Sequence, residues 1–307
     1  MLKQRVITAL ILVAILLPTV FASALWPFAL LSLVFIAAAG WEWSNLNGAP
    51  GVRAWLLGVA VAGACLWGAQ VLDLFIWSMA DAPAASAQPH VHDWSHALFG
   101  FETPAGLWWG ATGAWLLGGG WMLRFGTGRW LSIAPWWRRL VGLCLLVLAW
   151  LALVDIKAQG VNFLLSVLCL VWAADIGAYF GGRAFGRHKL APSISPGKSW
   201  EGVVAGLLAV LALSVLWIWL DRQIGMDSPS LYSRLFMGLG PVGMALALAC
   251  LSGMSVVGDL FESLVKRQAG AKDSSQLLPG HGGVLDRVDA LLPVLPISLA
   301  VMTLCHG

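Results

Sequence analysis

Nine long runs of apolar residues divide the chain, and they leave few folds open to it. A helix needs about 20 mainly apolar residues to cross roughly 30 Å of hydrocarbon, because every backbone polar group must be satisfied within the segment. The runs fall at about Val6 to Ser23, Leu25 to Trp41, Trp55 to Met79, Pro104 to Leu123, Leu140 to Val154, Val161 to Phe180, Gly202 to Leu220, Leu235 to Val257 and Ala290 to Leu304. With 59% hydrophobic and 11% charged residues over 307 positions, a soluble core is excluded. The expectation is an all-α, polytopic integral membrane protein of about nine transmembrane helices. Lys3 and Arg5 before the first run and "FASAL" after it would suit a cleaved signal peptide, but direct continuation into a second apolar run predicts an uncleaved hairpin.

Charge sets the orientation, since short loops rich in Lys and Arg stay in the cytoplasm. A cytoplasmic N-terminus puts fifteen of the 18 basic residues on that side and leaves Lys157, Arg222 and Arg234 outside. The net charge of +3 follows from those loops and does not describe a nucleic-acid-binding face. Cys65, Cys144, Cys169, Cys250 and Cys305 are scattered through apolar runs without metal-site spacing and read as packing residues. Trp26, Trp41, Trp43, Trp55, Trp136 and Trp137 sit near expected helix ends, as an interfacial belt would. His90, His92, Asp93 and His96 share an outer loop whose spacing could hold a transition metal, although a plain polar loop is the preferred reading.

Residues 1–157 then form an N-terminal transmembrane region with few chemically able loops, and residues 158–307 a catalytic transmembrane region with two long polar cytoplasmic loops. The first polar stretch is "DIGAYFGGRAFGRHKLAPSISPGKSWEG". A carboxylate within an apolar helix costs at least ~2.5 kcal/mol on insertion scales, which marks Asp175 as functional. Gly181, Gly182 and Gly186 are expected to interrupt the helix beside Arg183, Arg187, His188 and Lys189, offering backbone N–H groups to phosphate. Lys198 and Ser199 imitate a P-loop, but Pro192 stands where that motif requires Gly. Ser195 to Glu201 remains as a basic, hydroxyl-bearing entry to the next helix.

The second stretch begins with Asp259, Glu262 and Lys266, spaced to share one helical face. After the "PGHGG" turn, Asp286 and Asp289 flank Arg287. Two acidic pairs at the bilayer surface suit a hard cation such as Mg²⁺. Lys266, Arg267, Lys272 and Arg287 around them suit a nucleoside triphosphate bound with its metal. A phosphate monoester nucleophile has a second pKa of about 6 and needs no strong general base.

"SLVKRQAGAKDSSQLLPGHGGVLDRVD", from Ser263 to Asp289, resembles the signature of the CDP-diacylglycerol synthases, or phosphatidate cytidylyltransferases. That pattern runs S-x-apolar-K-R, four residues, K-D, a small residue, Pro or Gly, H-G-G, apolar, x, D-R, apolar, D. Every specified position is filled, with Ser275 where many members carry Gly. The likeness extends upstream to Trp172, with "WEW" at Trp41 to Trp43 as a fainter echo. It implies a reaction of CTP with phosphatidate giving CDP-diacylglycerol and pyrophosphate, on the cytoplasmic face of a bacterial-type inner membrane, with Mg²⁺.

Carried over residue by residue, the resemblance makes Asp259 and Asp286 the leading metal ligands, with Asp289 and Glu262 beside them. Lys266, Arg267, Lys272 and Arg287 would hold phosphates; His281, Gly282 and Gly283 would form a phosphate-facing turn; Asp175, Ser195, Lys198 and Ser199 would close the site. An accompanying monovalent cation and a homodimer are left open. The rival classes are an ion-coupled transporter, and another membrane enzyme of nucleotide-activated lipids. The first is disfavoured because the polar groups concentrate at one surface, and the second because the D-G-x-x-A-R pattern of CDP-alcohol phosphotransferases is missing.

Overall fold

A computed structural model of the chain describes residues 2–72, 74 and 105–306. The His90 to His96 loop lies outside the described residues. Helices α1 (Leu2–Phe21), α2 (Trp26–Leu46) and α3 (Val52–Val71) are followed, past the undescribed stretch, by α4 (Ala105–Ala114), α5 (Gly120–Phe125), α6 (Thr127–Ser132) and α7 (Pro135–Ala158). Next come α8 (Val161–Phe185), strands β1 (Lys189–Ala191) and β2 (Ser195–Ser199), α9 (Trp200–Gln223), α10 (Leu231–Gln268), α11 (Leu285–Val288) and α12 (Leu291–Met302). The only sheet among the described residues is the antiparallel β1–β2 hairpin.

Seven described helices are long and apolar enough to cross a membrane. The other two expected runs are helical but differ in form. The apolar part of α1, Val6–Phe21, is short, and the Pro104 to Leu123 run is broken by a π-helical turn, Trp115–Gly119, between α4 and α5. Exposed Val215, Leu216 and Trp219 on α9 suit contact with lipid, where burying apolar side chains against protein offers little gain.

Two local expectations change. Helix α8 does not break at Gly181 and Gly182; it continues to Phe185 and ends at Gly186. The reason is packing: a Cβ on Gly181 would lie 2.1 Å from the Ala205 Cβ, so glycine there lets α9 lie directly against α8. Trp43 is not in the interfacial belt either. It is buried, stacked on Phe261 with ring centroids 6.0 Å apart, and its indole N–H donates to the Arg138 carbonyl at 2.9 Å. Trp26, Trp55, Trp136 and Trp137 are exposed, as an interfacial belt requires.

Lys157 and Arg234 lie towards the same end of the bundle, each with its own partners. Lys157 reaches the Ala22 carbonyl at 3.4 Å, while Arg234 donates to Gln159 and stacks 4.1 Å over the Phe163 ring. The charged segments singled out above occupy the ends of α8, α9 and α10 remote from that cluster.

Candidate active site

The site starts from the ends of three helices. Helix α8 ends at Gly186, and β1 and β2 turn the chain back with Lys189 opposite Ser199 and Ala191 opposite Ser195. The Ser199 hydroxyl then caps α9 by accepting from the Gly202 N–H at 3.2 Å, satisfying a donor that the helix leaves unpaired. Glu201 fixes the base of the hairpin, accepting from the His188 backbone N–H and lying 2.6 Å from its Nδ1. Ser195 and Ser199 are therefore strand and cap residues of the segment that presents Lys198.

From that hairpin the Lys198 Nζ reaches the Asp259 Oδ2 at 2.7 Å. Asp259 also accepts from the Ser263 hydroxyl at 3.2 Å, one helical turn on. Asp175, on the exposed side of α8, lies within electrostatic reach of Lys198 and Asp259. The two polar stretches of the sequence thus join at one point.

Behind this pair lies a second, more enclosed layer. The Lys266 ammonium is shared between Glu262, one turn before it, and the Asp286 Oδ1 at 2.6 Å. The Lys266, Glu262 and Asp286 side chains are 12%, 1% and 9% exposed, against 23% and 32% for Lys198 and Asp259. A substrate entering from water therefore meets the Lys198–Asp259 pair first. In the enclosed layer two carboxylates share one ammonium, so loss of the ammonium would leave uncompensated buried charge.

Asp286 is held firmly. Its Oδ2 accepts from the Gly283 N–H at 2.8 Å, the Ser274 N–H at 2.9 Å and the Ser274 hydroxyl at 3.0 Å. Asp289 bonds the Ala290 N–H at 2.8 Å and lies within electrostatic reach of Asp259 and Glu262. Gly258 makes that approach possible, since a Cβ there would stand 2.4 Å from the Asp289 carbonyl oxygen.

The "PGHGG" segment is a tight turn in which the Leu278 N–H bonds the Gly282 carbonyl and the His281 N–H bonds the Leu278 carbonyl. Gly282 takes a φ of 84°, a conformation that L side chains rarely adopt. Arg287 does not reach the carboxylates; its guanidinium donates to the His281 carbonyl and braces the turn. Arg267 donates to the Ala271 carbonyl at 3.2 Å, and Lys272 is exposed, so both lie at the rim.

A model of the cytidylyltransferase family matches residues 3–305. The chain belongs to that family. The phosphatidate cytidylyltransferase of Pseudomonas aeruginosa is 38% identical to this family member over 317 residues, covering 98% of this chain and 97% of that protein. That of Haemophilus influenzae is 48% identical over 138 residues, 45% of this chain and 44% of that protein. That of Thermotoga maritima is 42% identical over 143 residues, 47% of this chain and 50% of that protein.

The sequence reading of this cytidylyltransferase-family chain missed two residues at the site. One is Ser274, which binds Asp286 through both its amide and its hydroxyl. The other is Glu42, from the N-terminal region that seemed poor in chemistry; it is fully buried against residues 274–285. The available signal was the "WEW" echo at Trp41 to Trp43, whose middle residue is Glu42.

Proposed function

We propose that this integral membrane protein is a CTP:phosphatidate cytidylyltransferase. It transfers CMP from CTP to phosphatidate, giving CDP-diacylglycerol and pyrophosphate for phospholipid synthesis. The observation that carries the reading is the Lys198–Asp259 contact, which brings the hairpin to the mouth of the Lys266, Glu262 and Asp286 layer. A phosphatidate oxygen attacks the α-phosphorus of CTP and the bond to the β-phosphate oxygen breaks. Near neutral pH the attacking monoester is largely dianionic, so the protein's task is to align two polyanions and offset their charge. Lys198 and Lys266 supply that charge within the site, and Arg267 and Lys272 at its rim. Arg287 acts through the His281 turn, with Gly282 and Gly283 keeping the backbone close. Asp175, Ser195 and Ser199 complete the opposing wall.

The donor set fits Mg²⁺. Asp259, Glu262, Asp286 and Asp289 provide hard oxygens, and two lysine ammoniums already sit against three of them. Among the described residues no three His, Cys, Asp or Glu side chains form a ready metal cluster. That suits a cation held by one or two carboxylates and completed by substrate phosphates. Asp259, the most accessible of the four, and Asp286 are its leading ligands in this reading, with Asp289 and Glu262 beside them. When bound, the ion neutralises charge on the triphosphate.

In the same reading α1 and the α4–α5 segment also cross the membrane, making about nine helices. The N-terminus and active site face the cytoplasm across a bacterial inner membrane, where CTP is available. The bias of basic residues supports this. A lipid phosphate at headgroup depth then meets the basic helix ends.

The test is incubation of the purified protein with radiolabelled CTP, phosphatidate and Mg²⁺. Label is expected in a chloroform-soluble product with release of one pyrophosphate per lipid. Absence of both in folded protein overturns the reading.

A further inference from the structure

We infer that Glu42 is a positioning residue for the reaction, acting through the 274–285 segment on Asp286. The inference rests on the cytidylyltransferase reading of the site. Glu42 belongs to α2, yet its carboxylate is fully buried and accepts four hydrogen bonds from the segment preceding Asp286. Its Oε1 takes the Ser275 hydroxyl at 2.5 Å and the Val284 N–H at 2.9 Å. Its Oε2 takes the Ser274 hydroxyl at 3.0 Å and the Leu285 N–H at 2.7 Å. One side chain therefore ties the two ends of the loop containing the "PGHGG" turn.

Ser274 carries the effect to the site. Its single hydroxyl lies 3.0 Å from both Glu42 Oε2 and Asp286 Oδ2, and its amide donates to Asp286 Oδ2 at 2.9 Å. A hydroxyl has one proton to give, so the two carboxylates compete for it across one serine. From Asp286 the chain of contacts continues to Lys266 and Glu262. Trp43, next to Glu42, stacks on Phe261, adjacent to Glu262. Trp115 and Trp130 meet the same Phe261 ring edge-on, with centroids at 5.6 and 5.5 Å. The end of α2 thus holds both the loop and the end of α10.

A carboxylate suits this place and an amide does not. Each Glu42 oxygen accepts from one serine hydroxyl and one backbone N–H. A hydroxyl can rotate, but an N–H cannot, so Glu42→Gln sets its NH₂ against the amide of Val284 or Leu285 whichever way it turns. The loop must shift to relieve that clash. A displacement of about 1 Å in a group that positions reacting atoms costs on the order of 10²-fold in rate.

The experiment measures kcat, the KM for CTP and the folded fraction in detergent for the parent, Glu42→Gln, Ser275→Ala and the double variant. Glu42→Gln is expected to lower kcat per folded molecule about 100-fold with the KM for CTP changed less than about threefold. Ser275→Ala removes one of the four bonds and is expected to cost about two- to tenfold in kcat. The double variant should be no slower than Glu42→Gln, because both act through one contact. Folded Glu42→Gln with kcat within about threefold of the parent, or losses that track the folded fraction alone, overturn the inference. Should Glu42→Gln not fold, parent-like kcat in Ser275→Ala overturns it. A parent that makes no lipid product from CTP refutes the cytidylyltransferase reading instead, and that control separates the two failures.

Discussion

Lys198 on β2 and Asp259 on α10 stand 2.7 Å apart, Nζ to Oδ2, and this contact closes the hairpin onto the acidic end of α10. Both side chains keep access to solvent, so the pair adds at most about 1 kcal/mol to stability, and its value is in placing charge. Asp259→Asn is expected to reduce pyrophosphate release from CTP and phosphatidate by about 10²- to 10³-fold. Its melting temperature in detergent should stay close to that of the parent. Wild-type turnover in the folded variant would remove Asp259 from the site.

Lys266 sets the opposite balance. Replacing it by Met leaves Glu262 and Asp286 without their shared ammonium, a loss of about 3–5 kcal/mol for a buried charge cluster. Equilibrium unfolding in mixed micelles should show that loss. Adding Glu262→Gln should restore part of the stability without restoring activity, because it removes a buried acid that has lost its partner.

Close packing of α8 on α9 gives a steric prediction. A side chain on Gly181 would strike Ala205, so Gly181→Val should cost about 1–3 kcal/mol and lower activity by displacing the hairpin that follows. Gly63 on α3 has no neighbouring atom within 4 Å of its notional Cβ. Gly63→Ala should change stability by about 0.5 kcal/mol or less. Thermal unfolding of the two variants side by side checks the contrast.

Chelation tests the metal reading. Removing divalent cations should abolish lipid product, and Mg²⁺ should restore it. Asp289→Asn should move half-maximal turnover to higher Mg²⁺ concentration. Unchanged turnover in a chelator would refute the metal assignment.

Orientation can be read by labelling. In a cysteine-free background, Gln276→Cys, at an exposed position of the 274–285 loop, should resist an impermeant maleimide in intact cells and react in inverted vesicles. Reaction in intact cells would reverse the topology.

Much of the architecture was readable in advance because membrane crossing is decided by local composition over about 20 residues. Seven of the expected runs are helices of that kind, and the clustering of Asp259, Glu262 and Lys266 on one face follows from the helical repeat. The continuity of α8 past Gly181 was not readable. Glycine signals a break or a close approach with the same letter, and Ala205 on the neighbouring helix decides which. Trp43 was misread for a similar reason: near a helix end its ring suits lipid headgroups, until Phe261 and the Arg138 carbonyl are found beside it.

By itself, then, the sequence determined the apolar helices, the basic bias of one set of loops and the signature from Ser263 to Asp289, because each depends on neighbours along the chain. Tertiary structure alone decided that Lys198 meets Asp259, that Arg287 braces a turn instead of facing the acids, and that Glu42 binds the loop before Asp286. The physical reason is the cost of burying a carboxylate without donors. Glu42 must find partners, but those partners stand 232 to 243 residues away, and only packing of α2 against the loop before α11 brings them within reach.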